Sequence, residues 1–413
     1  MKKRKLSYCS VIVNAMVEIE RKKAHNNLDV VIAHRQAFSV AAELLILYGE
    51  RNTKEEALHL LEHLLFKPED KTFEIVKKAG GMLNAKTSQD SISIYFWMPA
   101  EHIQGGMKTL KFILLESNKY WTDELIKTEK SILLQELREY WSQPEGMLNI
   151  LFRRKLLGKD FPDTKDPSEI EEELKTVDLK YLRKILSELS PEISCLSVVG
   201  SVCSDINEWI SPLEEWEGVK VKIRKLEPKP EYGTHKFIKN LPTAYIKLGF
   251  ITVPYNNEDN IYLKLLSSIL AAFPTSRLYK KLRLERGLSY YVMASQHSSL
   301  DFGYFSISTA TKLTKVDEVI NIIFQELEKI IDEGVSEEEL DEVKKWTIGS
   351  IKLLLDTLTS FASLIAEHTL IHNNPRYLFD VLIPKIKKAK IEDIQRVAKE
   401  YLQRDKCVIC ILS

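Results

Sequence analysis

Two histidines and a glutamate within one short segment could hold and use a metal ion. His59, Glu62 and His63 occur in the stretch His-Leu-Leu-Glu-His, and the leucines around them recur at helical spacing. Four residues on a helix place both imidazoles on one face, one turn apart, as two ligands of one tetrahedral zinc require. Glu62 lies close to that face, where a carboxylate can take the proton of a water held at the metal. The segment therefore predicts metal-assisted hydrolysis.

The same three residues also have a simpler interpretation. On a partly exposed helix they could be solvated, or hydrogen-bonded to their neighbours, without any metal. His368 and His372 illustrate that case, because they too are four residues apart in a predicted helix but have no glutamate between them. We interpret that second pair as structural.

A catalytic zinc usually has three protein ligands, and two imidazoles leave it one short. A helix predicted over residues 124–141 carries Glu129 and Glu136, which are seven positions apart and share a face. Glu136 is the candidate third ligand. A single glutamate in a charged helix usually faces solvent, however, and spacing alone leaves Glu129 and Glu139 as alternatives.

The elements that position these residues belong to a chain of 413 residues, which suggests two or three units at about 150 residues each. Alternating Glu and Lys with prolines over residues 213–241 indicate an interdomain linker. The prediction is a metal-binding domain over 1–212 and a second domain over 242–413. Runs of consecutive strands, as at 289–310, favour an α+β arrangement over a parallel sheet.

The order of elements is similar on the two sides of the linker, which predicts an internal duplication. Each half has a pair of long amphipathic helices and then a helix that leads into a closing strand. In the second half, Gly334 breaks the helix pair and Ser336 is the predicted N-cap. The helix pairs are predicted over 106–141 and 316–354, and the closing units over 179–199 and 391–412.

Charge and hydropathy argue against two classes of partner, although the net charge is compatible with a local basic patch. Lys+Arg and Asp+Glu both number 59, so no net positive field draws the chain onto nucleic acid or an anionic membrane. No apolar run approaches the roughly 18 residues that span a bilayer. The first residues resemble a signal peptide only faintly, because Asn14 and two glutamates interrupt the apolar run. We therefore predict a first strand there, and a cytoplasmic protein.

The cysteines are odd in number and lie mostly in apolar, strand-like runs. This pattern predicts buried thiols in a reducing compartment rather than disulfides. Cys407 and Cys410 have the spacing of a redox or zinc pair, but no second such pair accompanies them. The five are Cys9, Cys195, Cys203, Cys407 and Cys410.

The order His-x-x-Glu-His is the inverzincin signature, and the chain resembles the insulinase, pitrilysin and mitochondrial processing peptidase family. The resemblance extends to Gly-Gly-Met-Leu-Asn-Ala-Lys-Thr at 80–87, with Asp90 and Tyr95 following at the family's spacing. Residues 129–136 resemble the family helix in which the second glutamate binds zinc and the first supports the site. The resemblance therefore implies that Glu136 is the third ligand, that Glu129 supports catalysis and that Asn84 contacts substrate.

A segment of the second half also resembles the family. Residues 276–278 and 283–290 match the region whose arginine and tyrosine bind the substrate backbone from the opposite domain. The resemblance implies catalytic and substrate-binding roles for Arg283 and Tyr290. Taken alone, an arginine and a tyrosine at this spacing would be a packing or surface pair.

Taken over nearly the whole chain, the resemblance implies a zinc metalloendopeptidase with one Zn²⁺ per chain. Two homologous domains of antiparallel-rich sheet covered by helices would form a clamshell chamber that admits short or unfolded peptides. Small relatives pair two such chains, so a homodimer is expected, with a heterodimer as the alternative.

Two other functions compete with the peptidase hypothesis. The first is a non-catalytic partner subunit of a heterodimeric peptidase, but such subunits typically lose ligands or the base. The second is a lyase with a similar zinc motif, such as the S-ribosylhomocysteine enzyme. The length and duplication of this chain argue against it.

The chain departs from the family pattern near both motifs. Glu56 and Leu58 replace the glycine and alanine that usually precede the first histidine, and Pro68 stands where a glycine often follows. A glycine-rich stretch before the arginine motif is replaced by Ala-Ala-Phe-Pro-Thr at 271–275. The entrance to the site and the substrate are therefore open questions at the level of sequence.

Overall fold

A computed structural model describes residues 18–202 and 206–413 of the chain. The predicted first strand, which would precede Glu18, lies outside the described residues, as do Cys9 and Cys203. Two sheets, each covered by helices, make up the described part. The predicted α+β class is confirmed.

The first sheet has six strands in the order β1-β2-β6-β3-β5-β4. Neighbouring strands run antiparallel except β2 and β6, which are parallel. Its strands are β1 Glu18–Lys23, β2 Asp29–His34, β3 Ser39–Ile46, β4 Met82–Thr87, β5 Ile92–Pro99 and β6 Ser194–Gly200. Eight helices accompany it in sequence, namely α1 Ala57–Leu65, α2 Glu69–Lys78, α3 Ile103–Leu115, α4 Asp123–Ser142, α5 Pro144–Leu157, α6 Pro167–Leu174, α7 Leu179–Glu188 and α8 Ile206–Glu214.

The second sheet has five strands in the order β7-β11-β8-β10-β9, with only β7 and β11 parallel. Its strands are β7 Gly233–Phe237, β8 Thr243–Thr252, β9 Val292–Ser298, β10 Gly303–Lys312 and β11 Val408–Leu412. Its helices are α9 Asp259–Ala271, α10 Val316–Glu333, α11 Glu337–Asp356, α12 Leu358–His372, α13 Ile383–Lys388 and α14 Ile391–Tyr401.

The two sheets share one topology. In sequence order, β2 to β6 of the first sheet occupy the same places as β7 to β11 of the second, and the single parallel pair falls at the corresponding position. The predicted internal duplication is confirmed. The predicted cap is also present, because the Ser336 hydroxyl accepts from the Glu339 backbone N–H and the Glu339 carboxylate accepts from the Ser336 N–H.

Strand β7 lies inside residues 213–241, which the sequence assigned to a linker. Residues 215–232 form neither helix nor strand, but Gly233–Phe237 pairs with β11 at the edge of the second sheet. This strand is short and mostly exposed, so it carries no alternation of apolar residues that could reveal it.

Each half covers the outer face of the other half's sheet with a helix. Helix α12 packs on β3 and β6, where Phe361 and Ile365 meet Val31, Leu45 and Val199 in one buried cluster. Helix α5 packs on β8 and β11 in a second cluster. The two halves are therefore joined through shared cores and not only through a connecting segment.

Arg51 ties the halves together at a second point. Its side chain is fully buried and its guanidinium lies 2.5 Å from both Asp90 of the first half and Asp301 of the second. It also donates to the Ser299 hydroxyl at 2.8 Å. Charge-assisted hydrogen bonds to carboxylates of both halves hold the guanidinium in one orientation and link the two halves at this point.

Within the described residues, Cys195, Cys407 and Cys410 are buried free thiols, as the sequence predicted for them. Burial raises the pKa of Cys410 to about 12, which keeps that thiol protonated and unreactive. Among the described helices none is long and apolar enough to cross a membrane by itself. Helices α11 and α12, bent by 111° at their junction, meet that criterion only as a pair.

Candidate metal centre

Helix α1 presents its polar residues on one side because its leucines occupy the other. Five leucines of α1 are buried in the first core, whereas His59, Glu62 and His63 are only partly exposed to solvent. The two imidazole rings are 5.1 Å apart between centroids and meet edge to face. The local sequence thus places both rings in one patch, as the four-residue spacing predicted.

Helix α4 supplies the acidic residues that face this patch. The hydroxyl of Thr122 caps its first turn, and Ile126 and Leu133 anchor it in the core beside α1. Glu129 is buried, with 5% of its side chain exposed, while the side chain of Glu136 is 51% exposed. Two turns of helix therefore place the carboxylate of Glu129 in the interior and the carboxylate of Glu136 at the surface.

Glu136 converges on both histidines. Its Oε2 lies 3.9 Å from Nε2 of His59 and 3.7 Å from Nε2 of His63. These three residues form one of two groups of potential metal ligands in the described part of the chain. Spacing had left three glutamates open as the third ligand, and the geometry brings Glu136 to the two Nε2 atoms.

The opposite ring nitrogens are already occupied. Nδ1 of His59 is 2.9 Å from a carboxylate oxygen of Glu56, and Nδ1 of His63 is 3.2 Å from Glu129. An Nδ1–H that donates to a carboxylate leaves Nε2 unprotonated in the neutral ring, which is the form that binds a metal. Two imidazole nitrogens and one carboxylate oxygen are a common catalytic donor set for zinc, so the residues fit that ion.

Charges around His59 act on its pKa in opposite directions. Burial lowers the pKa of His59, while the hydrogen bond to Glu56 and the charges of Glu56, Glu62 and Glu136 raise it, with a net rise. The site therefore concentrates negative charge around the rings. Such a field favours a cation at this place.

A cavity of about 400 Å³ opens beside the centre. His59 and Glu62 line it from α1, residues 85–88 line it from β4 and the residue after it, and Arg153 and Asp163 complete the lining. The guanidinium of Arg153 lies 3.1 Å from the carboxylate of Asp163. This volume is in the range of small-molecule and side-chain pockets.

Buried carboxylates below His59 were missed in the sequence. Glu50 accepts the backbone N–H of His59 at 2.9 Å, and burial together with the charge of Glu56 raises the pKa of Glu50 well above its usual range. Burial and the charges of Asp163 and Glu56 raise the pKa of Glu55 to about 8. Only the replacement of the expected glycine by Glu56 signalled this cluster, since Glu50 and Glu55 belong to no motif.

Glu55, Glu56 and Asp163 form the second group of potential ligands. Its members already have partners inside the protein, because Glu55 accepts the backbone N–H of Asp163 and Glu56 accepts from His59. We interpret this group as support for the loop before α1.

The residues predicted from the second half lie near one another but not in the centre. Arg283 belongs to a π-helical turn, Tyr279–Glu285, and its guanidinium lies 4.8 Å from the ring centroid of Tyr290. Among the described residues, no hydrogen bond or ion pair joins this pair to the histidines or to Glu136. Tyr290 is 79% exposed to solvent.

Asn84 lies on β4, the edge strand of the first sheet, and is exposed. Its side-chain oxygen accepts a hydrogen bond from the backbone N–H of Ala85. His368 and His372 stand apart from any such cluster, with the ring of His372 stacked on Tyr377 at 3.6 Å. No third potential ligand joins them in the described part of the chain.

Two family models match this chain. The model described as Insulinase (Peptidase family M16) matches residues 29–165, and the model described as Peptidase M16 inactive domain matches residues 177–345. Together these two stretches span most of the chain. The chain belongs to the insulinase, or M16, family of peptidases. The first stretch contains all the residues of the metal centre, and the second contains Arg283 and Tyr290.

Two curated relatives each match about three quarters or more of this chain. The uncharacterized zinc protease YmxG of Bacillus subtilis is 25% identical over 405 residues, which is 94% of this chain and 96% of that protein. An uncharacterized zinc protease of Rickettsia felis is 27% identical over 319 residues, covering 74% of this chain and 76% of the relative. The M16 chain thus matches bacterial zinc proteases over both of its halves.

Solved structures agree on the fold. A protease from Helicobacter pylori is 22% identical with a TM-score of 0.85, over 96% of this chain and all of that one. A chain of complex III2 from Candida albicans is 17% identical with a TM-score of 0.81, over 95% of each chain. At these identities the likeness shows that the two-sheet architecture is shared.

Proposed function

We propose that this M16 chain is a zinc metalloendopeptidase that hydrolyses short or unfolded peptides. One observation carries the proposal. Nε2 of His59, Nε2 of His63 and a carboxylate oxygen of Glu136 converge, while each Nδ1 is held by a separate carboxylate. Zinc-protease names among the full-length relatives support the same ion.

His59, His63 and Glu136 would hold the zinc, which when bound supplies Lewis acidity toward the scissile carbonyl and toward water. Glu62 lines the cavity next to His59, where it can act as the general base. Its carboxylate takes a proton from the attacking water and returns it to the departing amine. Hydrolysis by this route needs no covalent attachment of the peptide to the protein.

Extended peptides fit the surroundings of this site. β4 lies at the edge of the first sheet, so among residues 18–202 and 206–413 no strand pairs with one side of its backbone. An unfolded peptide can add to such an edge and pass the cavity with its main chain ordered, whereas a folded protein cannot. Asn84, exposed on β4, would contact that peptide.

Arg283 and Tyr290 would supply hydrogen-bond donors to the substrate backbone near the scissile bond. Because they make no bond to the metal centre of their own chain, we propose that two chains form a homodimer around a closed chamber. Each chain would then offer its arginine and tyrosine to peptide held in the chamber. The buried free thiols fit a reducing compartment, and we propose that the protein acts in the cytoplasm.

Metal analysis combined with cleavage of a mixed peptide library tests the proposal. The purified full-length chain should hold one zinc and cut the peptides. Glu62→Gln should hold the same zinc but cleave more slowly by about 10²–10⁴-fold, because the amide cannot accept the proton. A chain that binds zinc but cuts no peptide would instead indicate a partner subunit of a heterodimeric peptidase, and a chain that binds no zinc would overturn the metal centre.

A further inference from the structure

Glu56 occupies a backbone conformation that its residue type disfavours. Its φ is 58° and its ψ 5°, in the left-handed region where glycine is the usual residue. A β-carbon there is strained, and such positions persist when the surrounding structure compensates for them. Glu56 is also buried, with only 10% of its side chain exposed. A contact of the glutamate side chain must therefore compensate for the backbone strain at this position.

The side chain of Glu56 does not cap the helix that follows it. Ala57 begins α1, and the carboxylate of Glu56 makes no capping bond to the backbone N–H groups of the first turn. It reaches His59 instead, 2.9 Å from Nδ1. The N–H of His59 is taken by Glu50, also at 2.9 Å. Both the backbone and the ring of His59 are thus held by buried carboxylates.

The two histidines differ in the source of their support. Glu129 reaches Nδ1 of His63 from helix α4, which also carries Glu136. The Nδ1 atom of His59 receives no such partner from α4. Within the part of the chain that the structure describes, the one hydrogen bond to its ring comes from Glu56, just before its own helix. Without Glu56, the ring of His59 could rotate and either nitrogen could carry the proton.

We propose that Glu56 is a positioning residue that fixes the ring and the tautomer of His59 for metal binding. The inference rests on the proposed zinc site and deepens it. Carboxylates that hold a ligating histidine typically contribute 10–100-fold in metal affinity. The contact between Glu56 and His59 then compensates for the strain of the left-handed backbone at Glu56.

Three substitutions of Glu56 separate the contact from the strain. Glu56→Ala removes the carboxylate and keeps the strained β-carbon, so zinc affinity should fall about 10–100-fold. Glu56→Gly should lose the same affinity, yet its metal-depleted form should unfold at a higher temperature than that of Glu56→Ala, because glycine accepts this φ. Glu56→Gln retains an oxygen that accepts from Nδ1–H and should restore most of the affinity.

Zinc affinity is measured on the full-length, metal-depleted chain by competition with a chromogenic chelator, and unfolding is followed by calorimetry. Asn240→Gly is the matched control, since Asn240 is exposed with a φ of 54° and contacts no residue of the centre. It should leave zinc affinity unchanged. If Glu56→Ala binds zinc as tightly as the wild-type chain, or if Glu56→Gln is as weak as Glu56→Ala, the positioning role is wrong. A wild-type chain that holds no zinc overturns the proposed function itself.

Discussion

The helices that follow β3 and β8 have the same buried side and different polar sides. In α1 and α9 the apolar residues fall at matching positions and enter the first and second cores respectively. The matched residues are Leu58, Leu60, Leu61, Leu64 and Leu65 in α1, and Leu263, Leu265, Leu266, Ile269 and Leu270 in α9. The duplicated fold therefore depends on a pattern of buried apolar residues, and this pattern includes none of the potential metal ligands.

The remaining positions of the two helices carry the difference. Where α1 has His59 and His63, α9 has Lys264 and Ser268. Both groups of potential metal ligands in the described part of the chain belong to the first half. An ammonium and a hydroxyl cannot replace two imidazoles as zinc ligands. One helix of a duplicated pair can thus carry or lack a set of potential metal ligands without any change in its core.

The largest effect is expected from separating the halves. Residues 1–212 alone would lose the cover that α12 gives to Val31, Leu45 and Val199. Burial of such side chains contributes about 1.5–3 kcal/mol each, so the loss is comparable with a net domain stability of about 5–15 kcal/mol. The fragment should aggregate or unfold, as checked by gel filtration and thermal unfolding.

Complementation provides the control for that experiment. Co-expression of residues 1–212 with residues 213–413 should restore a folded pair, because each fragment supplies the helix that the other lacks. A fragment 1–212 that is monomeric and unfolds cooperatively by itself would show that the halves are independent after all.

The next largest effect concerns the two glutamates of α4. Glu136→Gln removes an anionic ligand and should lower zinc affinity by more than Glu129→Gln, for which about 10–100-fold is expected because it only supports His63. Chelator competition measures both. Glu139→Gln, an exposed neighbour on the same helix, is the control and should behave as the wild type. Equal affinities for Glu136→Gln and Glu139→Gln would move the third ligand elsewhere.

The contribution of the second half is tested through Arg283 and Tyr290. Arg283→Ala combined with Tyr290→Phe should lower kcat/KM about 10²–10³-fold, as loss of an oxyanion donor does, while zinc content and unfolding temperature stay unchanged. Peptide cleavage and metal analysis on the same sample provide the comparison. A variant with full activity would limit the chemistry to the first half.

Mixing two inactive variants shows whether the chains cooperate. If a homodimer places these two residues over the partner's centre, a Glu62→Gln chain mixed with the double variant should recover part of the activity. One site of the mixed dimer then has both its base and its donors. No recovery after confirmed exchange of chains would contradict shared sites.

The smallest effect is expected at the counterpart of the first ligand. Lys264→Ala should leave zinc affinity unchanged, because Lys264 lies on α9 in the second half and belongs to neither group of potential metal ligands in the described residues. His59→Ala is the matched variant and should remove zinc. Loss of zinc from Lys264→Ala would show that the two helices are not functionally distinct.

Much of this molecule is predictable from local patterns. The helix pairs α3–α4 and α10–α11, the cap at Ser336 and the closing strands β6 and β11 follow from periodicity and from cap residues. Those signals are local because backbone hydrogen bonding and side-chain direction repeat over a few residues. The pairing of His59 with His63 on one face belongs to the same class, since one helical turn determines it.

Other features depend on residues that meet only in the folded chain. Three such features have no local signature in the sequence. They are the packing of α5 and α12 on the sheet of the opposite half, the burial of Arg51 between Asp90 and Asp301, and the edge strand β7. Each is decided by which surfaces the tertiary packing brings together. For this reason the boundary drawn at residue 212 largely separates the two main cores but leaves two smaller buried clusters shared between the halves.

The metal centre combines both kinds of information. The sequence by itself determined that His59, Glu62 and His63 share a helix face, and it narrowed the candidates for a third ligand to a few glutamates of α4. Only the tertiary structure decided that Glu136 meets both Nε2 atoms while Glu129 and Glu56 hold the Nδ1 atoms. The reason is that a helix sets spacing along its own axis, whereas the distance between side chains of two helices depends on how their buried faces pack.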